Sequence, residues 1–366
     1  MNILINCSTL AKGGGLQVAH SFLYEIKNNK EHKFLVVCSE NLYNQIDRSL
    51  FKCNFKFYSY NIKIKISKIF YARDPFLDEI VKSENVNRVF TLFGPSYWKP
   101  KVRHICGYAK PQYIYKDSPF FKQLSNKELF YLKAKEFLQL YDFKRNNCEI
   151  ITENKDVSDR LSLILNKPIH TVTNFYNQVF DKRPKNIFKE LKKLNGIKLL
   201  TISANYPHKN LQIIPKVIDY LHKKYKNFKF YFILTIDESE LILKHNQKKH
   251  VIFLGKIDVE DCPSLYSIAD FMFLPTLLEC FSASYPEAMK METPILTSNL
   301  NFAKGICDDA AIYFDPYSSE SIGDKIFDLS NNTKLQYKLK KLGVKQLKKF
   351  DTSKDRAKKY LQIIQK

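Results

Sequence analysis

Two glutamates, Glu279 and Glu287, stand with seven residues between them in the segment 278–289, LECFSASYPEAM. A strand-like run, FMFLP, precedes the segment, and a helical pattern, EAMKM, closes it. The loop therefore ends at a helix N-terminus, where free amides and aligned peptide dipoles attract anions. Small side chains at Ser282, Ala283 and Ser284 let a pyrophosphate approach the backbone beside Phe281. The two carboxylates can accept hydrogen bonds from sugar hydroxyls, although a loop glutamate and a helix-end glutamate also suit a plain surface. A second segment, 203–211 (SANYPHKNL), sits where another strand gives way to a helix. Lys209 is placed there at the carboxyl end of a strand, the edge of a parallel sheet where ligands gather. Its ammonium can neutralise a diphosphate leaving group, and such stabilisation is worth roughly 3–4 kcal/mol per group. His208 beside it can help hold phosphate, and Asn205 lies close in sequence. The competing reading is one more surface lysine in a lysine-rich chain.

Two further positions belong to the first half. Gly14 and Gly15, within KGGG at 12–15, follow the first strand and open a helix. The loop is no P-loop, because no Lys-Ser/Thr follows, and Val18 breaks the dinucleotide fingerprint. A sugar or phosphate loop and a tight structural turn both fit. His104 ends a short strand, where a packed histidine and a catalytic one are alternatives. No D-x-D, H-E-x-x-H or G-x-S-x-G motif occurs, so the sequence carries no visible metal-chelating sugar-nucleotide site, zinc protease site or serine hydrolase elbow.

The elements that must position these residues alternate along the chain. Apolar runs at 2–6, 34–38, 89–93, 104–107 and 149–152 read as strands, with a helical pattern at 16–26. Ser125 and Glu128 form a capping box ahead of an amphipathic helix with Leu129, Leu132, Phe137 and Tyr141 among its apolar positions. The rhythm restarts after Arg183, with strands expected at 198–203, 228–234, 251–254, 271–274, 294–297 and 311–314 and a helix at 210–223. Strand–helix alternation of this kind implies parallel α/β units. Residues 171–183 read as a linker, and 331–366 as a basic helical tail with twelve Lys or Arg against two Asp.

With 366 residues, two domains are expected. The formal charge of +22 favours anionic partners, although a lysine-rich composition bias accounts for part of it. Eight scattered cysteines without a C-x-x-C pair suit neither a zinc site nor a disulfide scaffold, and indicate buried thiols in a reducing compartment. No signal peptide is read at the N-terminus, and no apolar stretch reaches a bilayer-spanning length. Residues 60–70, alternating apolar residues with lysines, fit either a lysine-guarded edge strand or a membrane-facing segment. The basic tail carries the same two readings.

With these residues in place, the chain resembles glycosyltransferase family 4, the group 1 transferases of the GT-B fold. The resemblance is carried by SANYPHKNL, then GKIDVEDCPSLYSIADFMFLP, then ECFSASYPEAM, then METPILTSNL, in that order and spacing. CDDAAIYFDPYSSESI extends it, and TENKDVSDRL and TNFYNQVF resemble the approach to the family's interdomain linker. Cys280 and Ser282 replace the family's two glycines, Asn205 stands near the place of its arginine, and its first-domain histidine has only His104 as a candidate.

The resemblance implies an α/β GT-B chain of two Rossmann-like domains facing a cleft. The expected divisions are 1–175 on the acceptor side, a linker at 176–183, a nucleotide-sugar domain at 184–345, and a helix at 346–366 that crosses back. It implies catalytic roles for Glu279 and Lys209. Donor binding would fall to Glu287, Phe281, Ser282, Ala283, Ser284, His208 and Asn205, with Gly14 and Gly15 bordering the donor or acceptor from the first domain. His104 would lie on the acceptor side. The implied reaction is a retaining transfer from a nucleotide-sugar to a saccharide acceptor, lipid-linked, in capsule or O-antigen synthesis. The implied setting is the cytoplasm, with possible contact at the anionic inner face of the plasma membrane. No cofactor, metal or nucleic-acid partner is expected. A nucleotide-sugar epimerase, a basic nucleic-acid binder and an inactive GT-B scaffold are the alternatives.

Overall fold

The computed structural model describes residues 1–10, 13–62 and 70–366. Lys12 of the glycine loop and residues 63–69 of the lysine-alternating stretch lie outside the described residues.

The chain divides into two compact units. Unit 1 comprises Met1–Lys116, Phe121–Asn174 and Asp351–Lys366; unit 2 comprises Asp117–Phe120 and Phe175–Phe350. In unit 1, β1 (Asn2–Cys7), β2 (Lys33–Cys38), β3 (Phe55–Ser59), β4 (Arg88–Thr91), β5 (Arg103–Gly107), β6 (Cys148–Thr152) and β7 (Ile169–Thr171) form a sheet in the order β3-β2-β1-β4-β5-β6-β7. In unit 2, β8 (Ile197–Thr201), β9 (Phe230–Leu234), β10 (Val251–Phe253), β11 (Phe271–Leu274), β12 (Ile295–Ser298) and β13 (Ala311–Phe314) form a second sheet in the order β10-β9-β8-β11-β12-β13. Neighbouring strands are parallel in both sheets.

Parallel strands flanked by helices bury both faces, so they read as unbroken apolar runs rather than alternating ones. FLVVC of β2 and FMFL of β11 are buried throughout. Unit 1 packs Ile3, Ile5, Phe22, Phe90 and Ile105 around its sheet, joined by Tyr360 and Ile364 of the helix Ser353–Gln365. Unit 2 packs Leu199, Val217, Phe232, Phe273, Leu296 and Ile326.

Both sheets grow outward in two directions from a central pair, β1/β4 in unit 1 and β8/β11 in unit 2. At such a reversal the loops leaving the two strands diverge, and the crevice at their carboxyl ends receives ligands.

The local expectations hold closely and fail at particular residues. Ser125 and Glu128 do form the capping box of the helix Asn126–Arg145. The expected helix at 210–223 begins instead at Ile214, because Asn210 takes a left-handed φ of 56° and Leu211–Ile213 make a 3-10 turn first. The described edge strand is Phe55–Ser59, just before the stretch at 60–70. The basic tail is two helices, Thr333–Leu347 and Ser353–Gln365, separated where Thr352 and Asp355 build a new capping box.

Candidate active site

The central strands of unit 2 deliver the two candidate catalytic side chains to one place. β8 ends at Thr201 and its loop carries Asn205, His208 and Lys209; β11 ends at Leu274 and its loop carries Glu279. The Lys209 ammonium makes an ion pair with the Glu279 carboxylate. Both side chains are largely enclosed, 14% and 12% exposed. Residues separated by 70 positions in sequence thus meet where the strand order reverses.

The meeting is braced by the backbone. The Leu277 amide donates to the His208 carbonyl at 2.7 Å. The Thr276 hydroxyl lies 3.1 Å from that same carbonyl and 3.0 Å from Glu279 Oε1, so it fastens one loop to the other beside the carboxylate. Residues 117–120, which belong to unit 2, brace the same loops. The Ser118 hydroxyl donates to the Leu277 carbonyl at 2.7 Å, and the Phe120 ring meets the His208 imidazole edge-on at 6.2 Å. Tyr206 stacks on His208. Burial lowers the His208 pKa, while Glu279 pulls it up and Lys209 pushes it down to lesser degrees, so a neutral imidazole is favoured at pH 7. Asn205 turns away from this cluster, its amide donating to the Glu240 carbonyl at 2.6 Å.

Glu287 lies in the first turn of the helix Ser284–Lys290. Part of the residue reaches solvent, yet the carboxyl group is packed in protein, and burial pushes its pKa up to about 7 against the opposing pull of a hydrogen bond from Tyr266. The Tyr266 hydroxyl donates to Glu287 Oε2 at 3.1 Å. A carboxyl group poised near neutrality can accept two hydroxyl donors when ionised. Ser282 and Ser284 are buried, Phe281 and Ala283 half-buried, and the Ala283 carbonyl accepts from the Glu287 amide at 3.0 Å. Phe281 packs edge-on against Phe350.

The remaining candidates belong to unit 1. Gly14 and Gly15 open the helix Gly14–Ile26 after β1, one of the β1/β4 pair at which that sheet reverses. Gly13 before them has φ 77° and ψ −162°, a conformation essentially reserved for glycine. A Cβ on Gly14 would meet nothing within 4 Å, whereas one on Gly15 would come within 3.3 Å of Leu10 Cδ2. His104 on β5 is 2% exposed, its Nε2 2.9 Å from the Thr91 hydroxyl. Burial first and the Lys167 charge second push its pKa down to about 3, so the imidazole is a neutral, enclosed group.

Thr276 and residues 118–120 were not singled out in the sequence, and Tyr266 stood only within the segment GKIDVEDCPSLYSIADFMFLP, with no role of its own. Apart from the Thr276–Glu279 contact, their parts in the site rest on contacts across 21 to 159 positions, and only the apolar, strand-adjacent setting of Thr276 offered a local sign. Among the described residues no group of three His, Cys, Asp or Glu is assembled to hold a metal ion.

Comparisons with known proteins bear on the same region. Residues 182–346 match the family described as glycosyl transferases group 1. The O-antigen chain mannosyltransferase RfbU of Salmonella typhimurium is 24% identical over 179 residues, 47% of this chain and 48% of the relative. The match thus spans about half of that relative's length. Among solved structures, HepE of Anabaena in complex with UDP and glucose aligns over 100% of this chain and 99% of its own, with a TM-score of 0.71 at 12% identity. WaaG, a glycosyltransferase involved in lipopolysaccharide biosynthesis, aligns over 100% and 99% with a TM-score of 0.69, also at 12% identity. These structural likenesses establish the fold, two Rossmann-like α/β domains of the GT-B type.

Proposed function

We propose that the chain, whose residues 182–346 match the group 1 glycosyl transferases, moves a sugar from a nucleotide-sugar to a saccharide acceptor in cell-surface polysaccharide synthesis. The observation that carries the proposal is the enclosed Lys209–Glu279 pair at the β8/β11 reversal. A diphosphate arriving at the loop ends competes with Glu279 for the Lys209 ammonium. Once the ammonium turns to the diphosphate, Glu279 is released to accept hydrogen bonds from the transferred sugar. The ion pair thereby holds both groups ready and discharged until the donor binds. Glu287 accepts the ribose hydroxyls, and amides between Phe281 and Ser284 hold the diphosphate.

We assign the transfer retention of configuration. The bond from the anomeric carbon to the phosphate oxygen breaks as the acceptor oxygen bonds to the same face. The departing phosphate takes the acceptor proton. Lys209 supplies positive charge at the leaving group, the role a divalent metal fills elsewhere, so the reaction proceeds without one. The acceptor is lipid-linked, and the work is done at the cytoplasmic face of the membrane; the O-antigen role of RfbU and the lipopolysaccharide role of WaaG support this reading.

A thermal-shift screen against nucleoside diphosphates and nucleotide-sugars, with EDTA present, tests the donor site. Stabilisation by one nucleotide that survives EDTA and is lost in both Glu287→Ala and Lys209→Ala is the expected result. No shift with any nucleotide defeats the assignment, and salt-sensitive binding to DNA in its place would favour a nucleic-acid partner.

A further inference from the structure

The helix Asn126–Arg145 is anchored over little of its length. Its buried residues are Gln139, Asp142 and Phe143, all toward its C-terminal end. Phe130, Tyr131 and Phe137 are 75%, 69% and 71% exposed, and Tyr141 is 41% exposed. Of the expected apolar positions Leu129, Leu132, Phe137 and Tyr141, the structure turns Phe137 and Tyr141 outward and leaves Leu129 and Leu132 half-buried.

The arrangement of these side chains is specific. At about 100° per residue, Phe137, Phe130, Tyr141 and Tyr131 fall within an arc of about 120°. On the same rotation, Lys133 and Lys144 border one margin of the arc and Lys135 the other, and all three are exposed. The helix's acidic residues are engaged elsewhere. Glu128 serves the capping box, Glu136 pairs with Lys116, and buried Asp142 pairs with Arg145.

We propose that this helix face is the surface by which the chain lies on an anionic lipid bilayer. Aromatic rings between lysine margins suit the boundary between acyl chains and head groups, where the rings enter the apolar layer and the lysines reach back to lipid phosphates. The cores of protein–protein interfaces are instead depleted in lysine. Self-association through this face would press like charges together in a chain that already carries +22. No helix among the described residues is long and apolar enough to cross a membrane, so the contact is one of lying on the surface. The basic tail is anchored in both of its helices: Ser353–Gln365 buries Arg356, Tyr360, Ile363 and Ile364 within unit 1, and Thr333–Leu347 buries Leu339, Gly343 and Gln346 within unit 2. This surface deepens the membrane-face setting proposed above and does not depend on the chemistry at the Lys209–Glu279 pair.

Co-sedimentation of the full chain with vesicles of phosphatidylcholine, alone or mixed with phosphatidylglycerol, tests the proposal. The chain is expected to pellet with the mixed vesicles only. Phe130→Ser and Phe137→Ser should each weaken binding about tenfold, and Lys133→Glu and Lys144→Glu at least fivefold each. Because these side chains are exposed, circular dichroism and Tm should stay at the parent values. In a Phe130→Trp variant, tryptophan emission should shift to the blue on adding anionic vesicles, against a constant signal from fully buried Trp98. Failure of the parent chain to pellet, equal pelleting with neutral vesicles, or variants that bind like the parent would each overturn the assignment. Self-association abolished by Phe130→Ser, without vesicle binding, would reassign the face to a second copy of the chain.

Discussion

Replacing Lys209 by Met isolates what the ion pair contributes. The Glu279 side chain is 12% exposed and Lys209 14%, so removing the ammonium strands an enclosed carboxylate. Breaking a buried pair from one side costs about 3–5 kcal/mol, mostly the penalty of the charge left behind. The Thr276 hydroxyl remains 3.0 Å from Glu279 Oε1 and offsets part of the loss, which places the expected cost near the lower bound, about 3 kcal/mol. For a unit of this size, that corresponds to a fall in Tm of roughly 6–12 °C. The double variant Lys209→Met with Glu279→Leu removes both charges and should recover most of the loss, because an apolar pair of similar volume often matches a buried ion pair. Differential scanning calorimetry of the parent, both single variants and the double variant completes the cycle. A Lys209→Met transition within about 2 °C of the parent, or a double variant no more stable than the singles, would refute the view that these groups form an enclosed, mutually dependent pair.

Three other expectations follow from the geometry. Glu287 keeps its proton in the folded state up to about pH 7 but releases it near 4.5 when unfolded; stability should therefore fall as pH rises through that window, by about 3 kcal/mol in all, and Glu287→Gln should flatten the dependence in Tm measured against pH. Gly13→Ala should cost about 1–3 kcal/mol in urea melts because of its backbone conformation, whereas Gly14→Ala, which has open space around its Cβ, should leave stability within about 0.5 kcal/mol. The His104 imidazole, with its pKa near 3, should show no protonation shift in NMR spectra between pH 8 and 5.

Much of the site was legible because strand–loop–helix alternation is a local pattern. SANYPHKNL and ECFSASYPEAM each announce a strand end followed by a helix start, and that suffices to send Lys209 and Glu279 to the carboxyl edge of a parallel sheet. Their adjacency was not legible from local pattern. It depends on β8 and β11 being neighbours, a long-range pairing that no window of residues encodes. The same limit hid the part played by Tyr266, which lies in the segment GKIDVEDCPSLYSIADFMFLP and whose hydroxyl meets Glu287 only across 21 positions. Element edges slipped where one residue overrode a pattern, as Asn210 did before the helix Ile214–Lys224. The break in the basic tail did carry a sign, since Thr352 and Asp355 have capping-box spacing, but continuous lysine-rich helical periodicity on either side masked it.

The return of residues Asp351–Lys366 to unit 1 has a consequence for biosynthesis. On the ribosome, domains generally fold in the order in which they emerge. Here unit 2 has all of its strands, β8 to β13, in hand by Phe314, while the core of unit 1 still lacks Tyr360 and Ile364. The portion translated first is therefore completed last, and its apolar face against the helix Gly14–Ile26 stays uncovered while the 176 residues of Phe175–Phe350 are made. A ribosome stalled near residue 350 would release a chain with an intact unit 2 and an unfinished unit 1, an aggregation-prone nascent product in which the damage lies at the opposite end of the message from the cut.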